Sequence, residues 1–188
     1  MIPAPPPITG WTWPEEVGRA VLREVRAVPT EEACGLLVGV RREDGGVVVT
    51  SAVPAENVES PGRRRRRFLI DPLRLLEVEK SLRGGNEEVV GFYHSHPDGE
   101  PLPSEVDRTF MELWPNTLWV IAGITEGGEL PQIRGWSLDP DPGEVNEVPV
   151  APSESAPAAR ARPPHPGVPR GARRPHGAWT DIESPRGK

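Results

Sequence analysis

Two histidines, His94 and His96, stand two residues apart in the run HSHPDGEPLPSEVD. Seven residues rich in proline and glycine follow, and then Ser104-x-x-Asp107. Successive side chains of a strand point to opposite faces, so both imidazoles share one face and Ser95 turns away. Two imidazoles at the end of an apolar strand can converge on a single ion. A catalytic zinc takes three protein ligands and leaves a position for water. The loop from Pro97 to Pro103 can reverse the chain, after which Ser104 reads as a helix N-cap. Asp107 then falls at N3, on the first turn, where its carboxylate can reach the histidines. Ser-x-x-Asp is also an ordinary capping box, and a cap and a ligand can coexist in one residue set. The other two histidines, His165 and His176, lie near the C-terminus.

Three such ligands and a water supply a Lewis acid and a nucleophile, and hydrolysis further requires a general base. That base is a carboxylate near the water that does not itself ligate the ion. Spacing does not choose among the many acidic residues. Glu32 is the most suggestive because it immediately precedes the buried run ACGLLVG, and its neighbour Glu31 has the same claim.

The elements that must position these groups can be traced along the chain. Trp13 to Val28 follows a helical pattern, with Pro14 near the first turn and Val17, Ala20, Val21, Val25 and Val28 recurring on one side. Ala33 to Val40 reads as a buried strand, and Val47 to Val53 pairs with it across the turn signal EDGG. Arg67 to Ile70 is expected to be another strand. Asp71 to Leu82 reads as a helix with an Asp cap, Pro at the first position, and Leu73, Leu75, Leu76 and Val78 inward. Val89 to His96 is strand-like, Ser104 to Leu113 helical, and Leu118 to Ile124 a buried strand. Gln132 to Leu138 and Glu144 to Val150 complete one central mixed sheet flanked by helices, an α/β or α+β domain.

Bulk composition bounds the rest. The 188 residues suffice for one domain, while 36% hydrophobic content and 25 prolines imply that part of the chain is not core. Residues 151–188 show no apolar period and are expected to be a disordered Pro/Arg-rich tail after a domain spanning 1–150. Seven basic against three acidic residues give that tail +4, so the total of −6 leaves −10 on residues 1–150. One cysteine, Cys34, excludes a disulfide framework and reads as a core residue. No apolar run is long enough for a membrane span and the N-terminus lacks signal-peptide character, so a cytoplasmic protein is expected.

Taken together, EEACGLLVG and HSHPDGEPLPSEVD resemble the JAMM/MPN+ family of zinc-dependent isopeptidases and peptidases. The family pattern is a Glu ahead of Gly-Leu-Leu-x-Gly, then His-Ser/Thr-His-Pro, then Ser-x-x-Asp with seven residues between the second His and the Ser. The compact bacterial branch is similar also in ENV around Asn57, in FLIDP and in GFYHSHP. The resemblance implies a cytidine-deaminase-like α/β sandwich and one Zn²⁺ per chain, held by His94, His96 and Asp107. It implies Glu32 as general base and proton donor, and Ser104 as hydrogen-bond donor to the developing oxyanion. The implied bond follows the C-terminal Gly-Gly of a ubiquitin-like or sulfur-carrier protein, whose extended tail would lie along a strand edge.

Other readings fit less well. A cytidine deaminase would need Pro-Cys-x-x-Cys, and an amidohydrolase barrel needs about 250 residues. A non-catalytic MPN-type scaffold is the alternative from a different class, but every ligand position is filled. Arg63 to Arg67 carries no interleaved aromatics and sits in an acidic body, so no nucleic-acid partner is expected. It is either a solvated charge run or a grip for an acidic protein. Asn57 is either a loop residue or a contact for the substrate backbone. Trp11, Trp13 and Trp114 are expected in the core or at its rim.

Overall fold

A computed structural model describes residues 6–124, 131–141 and 143–151. The expected tail therefore lies outside the described residues, apart from Ala151. The elements run β1 (Gly10–Thr12), α1 (Glu15–Ala27), β2 (Cys34–Arg41), β3 (Gly46–Ala55) and α2 (Pro72–Leu82). They continue with β4 (Glu88–His96), α3 (Glu105–Leu113), β5 (Leu118–Gly123), β6 (Gln132–Asp139) and β7 (Glu144–Val148). All seven strands form one sheet in the order β1-β3-β2-β4-β5-β6-β7. β1 runs parallel to β3 and β4 parallel to β5, while the other neighbours are antiparallel. The sheet is the mixed α/β core anticipated from the element order.

Its two faces bury different helices. In α1, Val17, Val21 and Val25 recur every fourth residue and are buried, packing with Leu37, Tyr93, Leu118 and Val120. Glu15 and Glu16 in the first turn and Arg26 in the last complement the helix dipole. The opposite face carries Cys34, Leu36, Phe92 and Trp119, against which Val78 and Leu82 of α2 and Met111 of α3 pack. Each fully buried aliphatic side chain of this kind contributes about 1.5–3 kcal/mol. The metal-ligand candidates belong to this second face.

β4 occupies the centre, between β2 and β5, which is why its run VVGFYHSH shows little alternation. Glycines permit the close approach of its neighbours. A Cβ on Gly91 would collide with the carbonyl oxygen of Leu118, and one on Gly39 with that of Val48. A Cβ on Gly35 would strike the Tyr93 ring and the Val53 carbonyl. The glycines of the GLLVG and GFYHSHP runs are thus packing requirements of the central strands.

The structure departs from the sequence reading at four places. Gly10–Thr12 forms an unanticipated edge strand, because Trp11 is 1% exposed and its indole donates to the Val148 carbonyl at 3.1 Å. Trp11 also bridges to Val150, so one sheet edge meets the segment that follows the other. Arg67–Ile70 is not a strand: only an isolated bridge, Asn57 to Ile70, and the Val58 N–H to Leu69 carbonyl bond at 2.9 Å form there. In α2, Leu73 and Leu76 are exposed, not inward, and Leu82 is buried instead. Val28 is the exposed C-cap of α1 rather than part of its apolar stripe. Trp11 and Trp13 pack edge to face at 4.9 Å, while Trp114 is 40% exposed at the rim. No helix among the described residues is long and apolar enough to cross a membrane.

Gly91→Ala is expected to force β4 and β5 apart. The thermal midpoint should fall by an amount equivalent to about 3 kcal/mol, measurable by calorimetry. A variant melting with the parent would contradict the packing role assigned to Gly91.

Candidate metal centre

The centre is built where the C-terminal end of β4 meets the N-terminus of α3. His94 and His96 occupy the last turn of the strand pleat, and His94 is fully buried. His94 stacks on Phe68, with ring centroids 4.6 Å apart and planes 25° apart. Its Nδ1 has no hydrogen-bond partner among the described residues, so the ring is held by packing and by Asp107 at its Nε2. His96 is oriented differently: its Nδ1 lies 2.9 Å from the Glu100 carbonyl oxygen, the arrangement that fixes the proton there and leaves Nε2 with its lone pair.

Ser104 caps α3 in a complete capping box, accepting the Asp107 N–H at 3.2 Å. In return, Asp107 Oδ2 accepts the Ser104 backbone N–H at 2.7 Å and the Ser104 hydroxyl at 2.6 Å. The carboxylate is thereby turned back over the helix start toward the strand. Asp107 Oδ1 lies 3.2 Å from His94 Nε2, and Oδ2 lies 3.4 Å from His96 Nε2. The two Nε2 atoms are 3.1 Å apart.

With one donor atom taken from each, the three residues form a group able to hold a metal ion, the two histidines facing different oxygens of Asp107. The edges of a tetrahedron with metal–ligand bonds near 2.05 Å measure about 3.3 Å, close to all three spacings. Two imidazole nitrogens this close to each other and to a carboxylate can share a cation. The donor set, two imidazole nitrogens and a carboxylate, suits zinc.

Electrostatics act differently on the three residues. Burial lowers the His94 pKa, which keeps the ring neutral, the form that ligates, although Asp107 opposes the shift. His96 is raised: burial acts against the charged ring, but the Asp107 and Glu100 hydrogen bonds and the nearby carboxylates outweigh it. Burial would raise Asp107, yet the charge and bonds of His94, His96 and Ser104 hold it below the ordinary carboxylate range.

The two candidate bases separate cleanly. Glu31 is part-exposed and lies 3.8 Å from Arg64. Glu32 is 4% exposed, and its Oε2 is buried without a hydrogen-bond partner. Burial pushes its pKa up to about 8, with the field of His96 opposing and that of Asp107 adding to the rise. Glu32 is thus a buried carboxyl with an unpartnered oxygen, within the electrostatic reach of His96 and Asp107.

The backbone around Glu32 is fastened on several sides. Ala33 N–H donates to Ser95 Oγ at 2.9 Å, and Ser95 N–H donates to the Ala33 carbonyl at 3.0 Å. Glu32 N–H donates to the Arg64 carbonyl at 2.7 Å. The Glu32 carbonyl accepts the Asn57 amide at 3.1 Å, and that amide also donates to the Arg67 carbonyl at 3.0 Å. Asn57 Oδ1 accepts the N–H groups of Glu59 and Leu69, each at 3.1 Å. Both donors and both acceptor positions of Asn57 are therefore used inside the protein, so the geometry favours its loop role over contact with a substrate. Cys34 faces the same side two residues beyond Glu32, buried, its thiol pushed up to about 12 by burial and then by Glu32, which leaves it without nucleophilic character. Sequence reasoning did not assign Phe68 to the centre. Its place in FLIDP directly after five arginines was the available signal, an apolar ring between charged surface and a capped helix.

Residues 14–139 match the family of prokaryotic homologs of the JAB domain. The chain belongs to that family. Among its relatives, the desampylase of Pyrococcus furiosus is 30% identical over 137 residues, covering 73% of this chain and 86% of that protein. The desampylase of Haloferax volcanii is 33% identical over 93 residues, covering 50% of this chain and 63% of its own length. A Thermus thermophilus protein described as a probable TtuB-protein conjugate cleaving protease is 40% identical over 96 residues, covering 48% and 59% respectively. The matched part thus spans about six-tenths of the last two relatives. The JAB-family resemblance read from the GLLVG and HSHP runs is borne out.

Asn57→Ala is expected to leave two carbonyls and two N–H groups without their partner. Stability in urea should drop by about 2–4 kcal/mol. A variant as stable as the parent would show that the Asn57 bonds do not hold the loop.

Proposed function

We propose that residues 1–150 form a zinc-dependent isopeptidase or peptidase. Its bond would be the one after the C-terminal Gly-Gly of a ubiquitin-like or sulfur-carrier protein. The observation that carries this reading is the meeting of His94, His96 and Asp107 donor atoms at 3.1–3.4 Å within reach of the field of buried Glu32. Relatives named for desampylase activity and for cleaving protein conjugates support the substrate class.

His94, His96 and Asp107 would hold the ion. A zinc ion in such a setting supplies Lewis acidity and brings the pKa of water down toward about 7. Glu32 accepts the proton of the attacking water through its otherwise unpartnered Oε2 and passes it to the leaving amine. Burial favours the acid form of Glu32, the form that donates to the leaving amine, and a cation held by the three residues would favour its carboxylate, the form that takes the water's proton. The walls formed by β2 and β4 fix Glu32 by its backbone, so its carboxyl needs no reorganisation between the two transfers. Ser104 donates its hydroxyl to the substrate carbonyl as that oxygen becomes anionic. To do so it must turn from Asp107 Oδ2, which keeps the Ser104 backbone N–H as a partner.

The sheet also offers a place for an extended substrate tail. β1 pairs only with Gly46–Val48 of β3, and among the described residues no strand pairs with the outer side of Val49–Ala55. That edge ends at Ala55, opposite Cys34 and thus close to Glu32. A peptide added there would gain main-chain bonds, and small residues at its end would suit a narrow site.

Glu32→Gln should retain one zinc per chain by elemental analysis while turnover of a Gly-Gly-linked fusion falls about 10³-fold or more. His94→Ala should lose zinc and turnover together. A Glu32→Gln variant with parental turnover would remove the proposed base.

A further inference from the structure

Arg63–Arg67 takes no part in the chemistry described so far, yet the fold carries it to the rim of the centre. Ser60–Arg66 forms two successive turns, closed by the Arg63 N–H to Ser60 carbonyl and Arg66 N–H to Arg63 carbonyl bonds, both 2.9 Å. The Arg64 carbonyl receives the Glu32 N–H at 2.7 Å, which ties this turn to the proposed base. Arg65 pairs with Asp98, two residues beyond His96. Arg64 Nε donates to the Glu59 carbonyl at 2.7 Å, and its guanidinium lies 3.8 Å from Glu31. Arg67 lies 3.9 Å from Glu59. Three of the five guanidinium groups thus have acidic partners that fix the turn.

Arg63 and Arg66 do not. Both are exposed, and among the described residues neither forms an ion pair, although the field of Arg63 reaches Glu59. Two uncommitted guanidinium groups therefore stand on the turn that is bonded to Glu32 and Asp98, on a body of net charge −10 that repels acidic proteins elsewhere. A guanidinium presents a planar fork of donors matched to carboxylates. At physiological ionic strength charge acts over about 8 Å, so these two select what docks at the centre and not what approaches the whole molecule.

We infer that Arg63 and Arg66 form a docking point for carboxylate groups on the surface of the conjugated protein. The identity of the partner as a conjugate rests on the proposed hydrolytic reading. The charge selection itself does not, and the two can fail separately.

The test is the double variant Arg63→Gln/Arg66→Gln of the full-length protein, with two substrates. One is a ubiquitin-like module with an acidic surface, ending in Gly-Gly and fused to a reporter. The other is a short neutral peptide with a fluorophore after Gly-Gly. The expected result is a fall of about tenfold in kcat/KM for the fusion at low salt, shrinking as salt rises, with the peptide unaffected. Equal loss on both substrates would mean that the turn acts through Glu32, and no loss on the fusion would leave the arginines as solvated surface. Either result overturns the inference. Binding of a fluorescent Asp/Glu-rich peptide, read in parallel by anisotropy, needs no turnover. Parent protein that cleaves neither substrate, yet binds this peptide more tightly than the double variant does, refutes the hydrolytic reading and retains the docking point. Preference for a single-stranded oligonucleotide of equal charge over the acidic peptide overturns it.

Discussion

The antiparallel pairing of β2 with β4, locked at its end by the exchange between Ala33 and Ser95, is the constraint on which the centre depends. Cys34 stands opposite His94 in that register, so the residue pair just beyond it sets Glu32 beside His96. Directly opposed residues of an antiparallel pair point to the same face. A shift of one residue would turn Glu32 to the α1 side of the sheet and take the proposed base out of the centre. Ser95 explains why a hydroxyl serves between the histidines: its side chain points away from them and receives the Ala33 N–H. The candidate ligands of β4 and the proposed base just ahead of β2 are therefore positioned by one set of interstrand bonds.

Four titratable groups are gathered there, three of them almost excluded from water. Desolvation of this kind costs several kcal/mol per charged group when nothing offsets it. The capping box meets part of the need by giving Asp107 two donors, and the Glu100 carbonyl meets part of it at His96. Glu32 Oε2 and His94 Nδ1 remain unpartnered. A carboxylate oxygen left unpartnered beside a His-His-Asp group fits a site organised for a cation and a substrate.

Much of this was legible in the residues. His-x-His on a strand and Ser-x-x-Asp at a helix start follow local periodicity and capping chemistry, and both elements form where those rules put them. α2 begins at its Asp71 cap for the same reason. What escaped notice was set by tertiary contacts. β1 has only three residues, and its pairing follows from burial of Trp11 beneath Gly135 and β7. The stretch Arg67–Ile70 has strand-forming residues, but the hydrogen bonds it makes go to Asn57 and Val58, within a loop built around one amide side chain. Spacing left Glu32 and Glu31 open and the family resemblance chose Glu32, which the structure buries while Glu31 stays part-exposed.

The most direct test of this account is anomalous diffraction at the zinc edge from crystals of the zinc-loaded protein. One peak is predicted, bonded to His94 Nε2, His96 Nε2 and an Asp107 carboxylate oxygen, with Glu32 near it but outside bonding distance. A peak ligated by Glu32, or none between β4 and α3, would contradict the account.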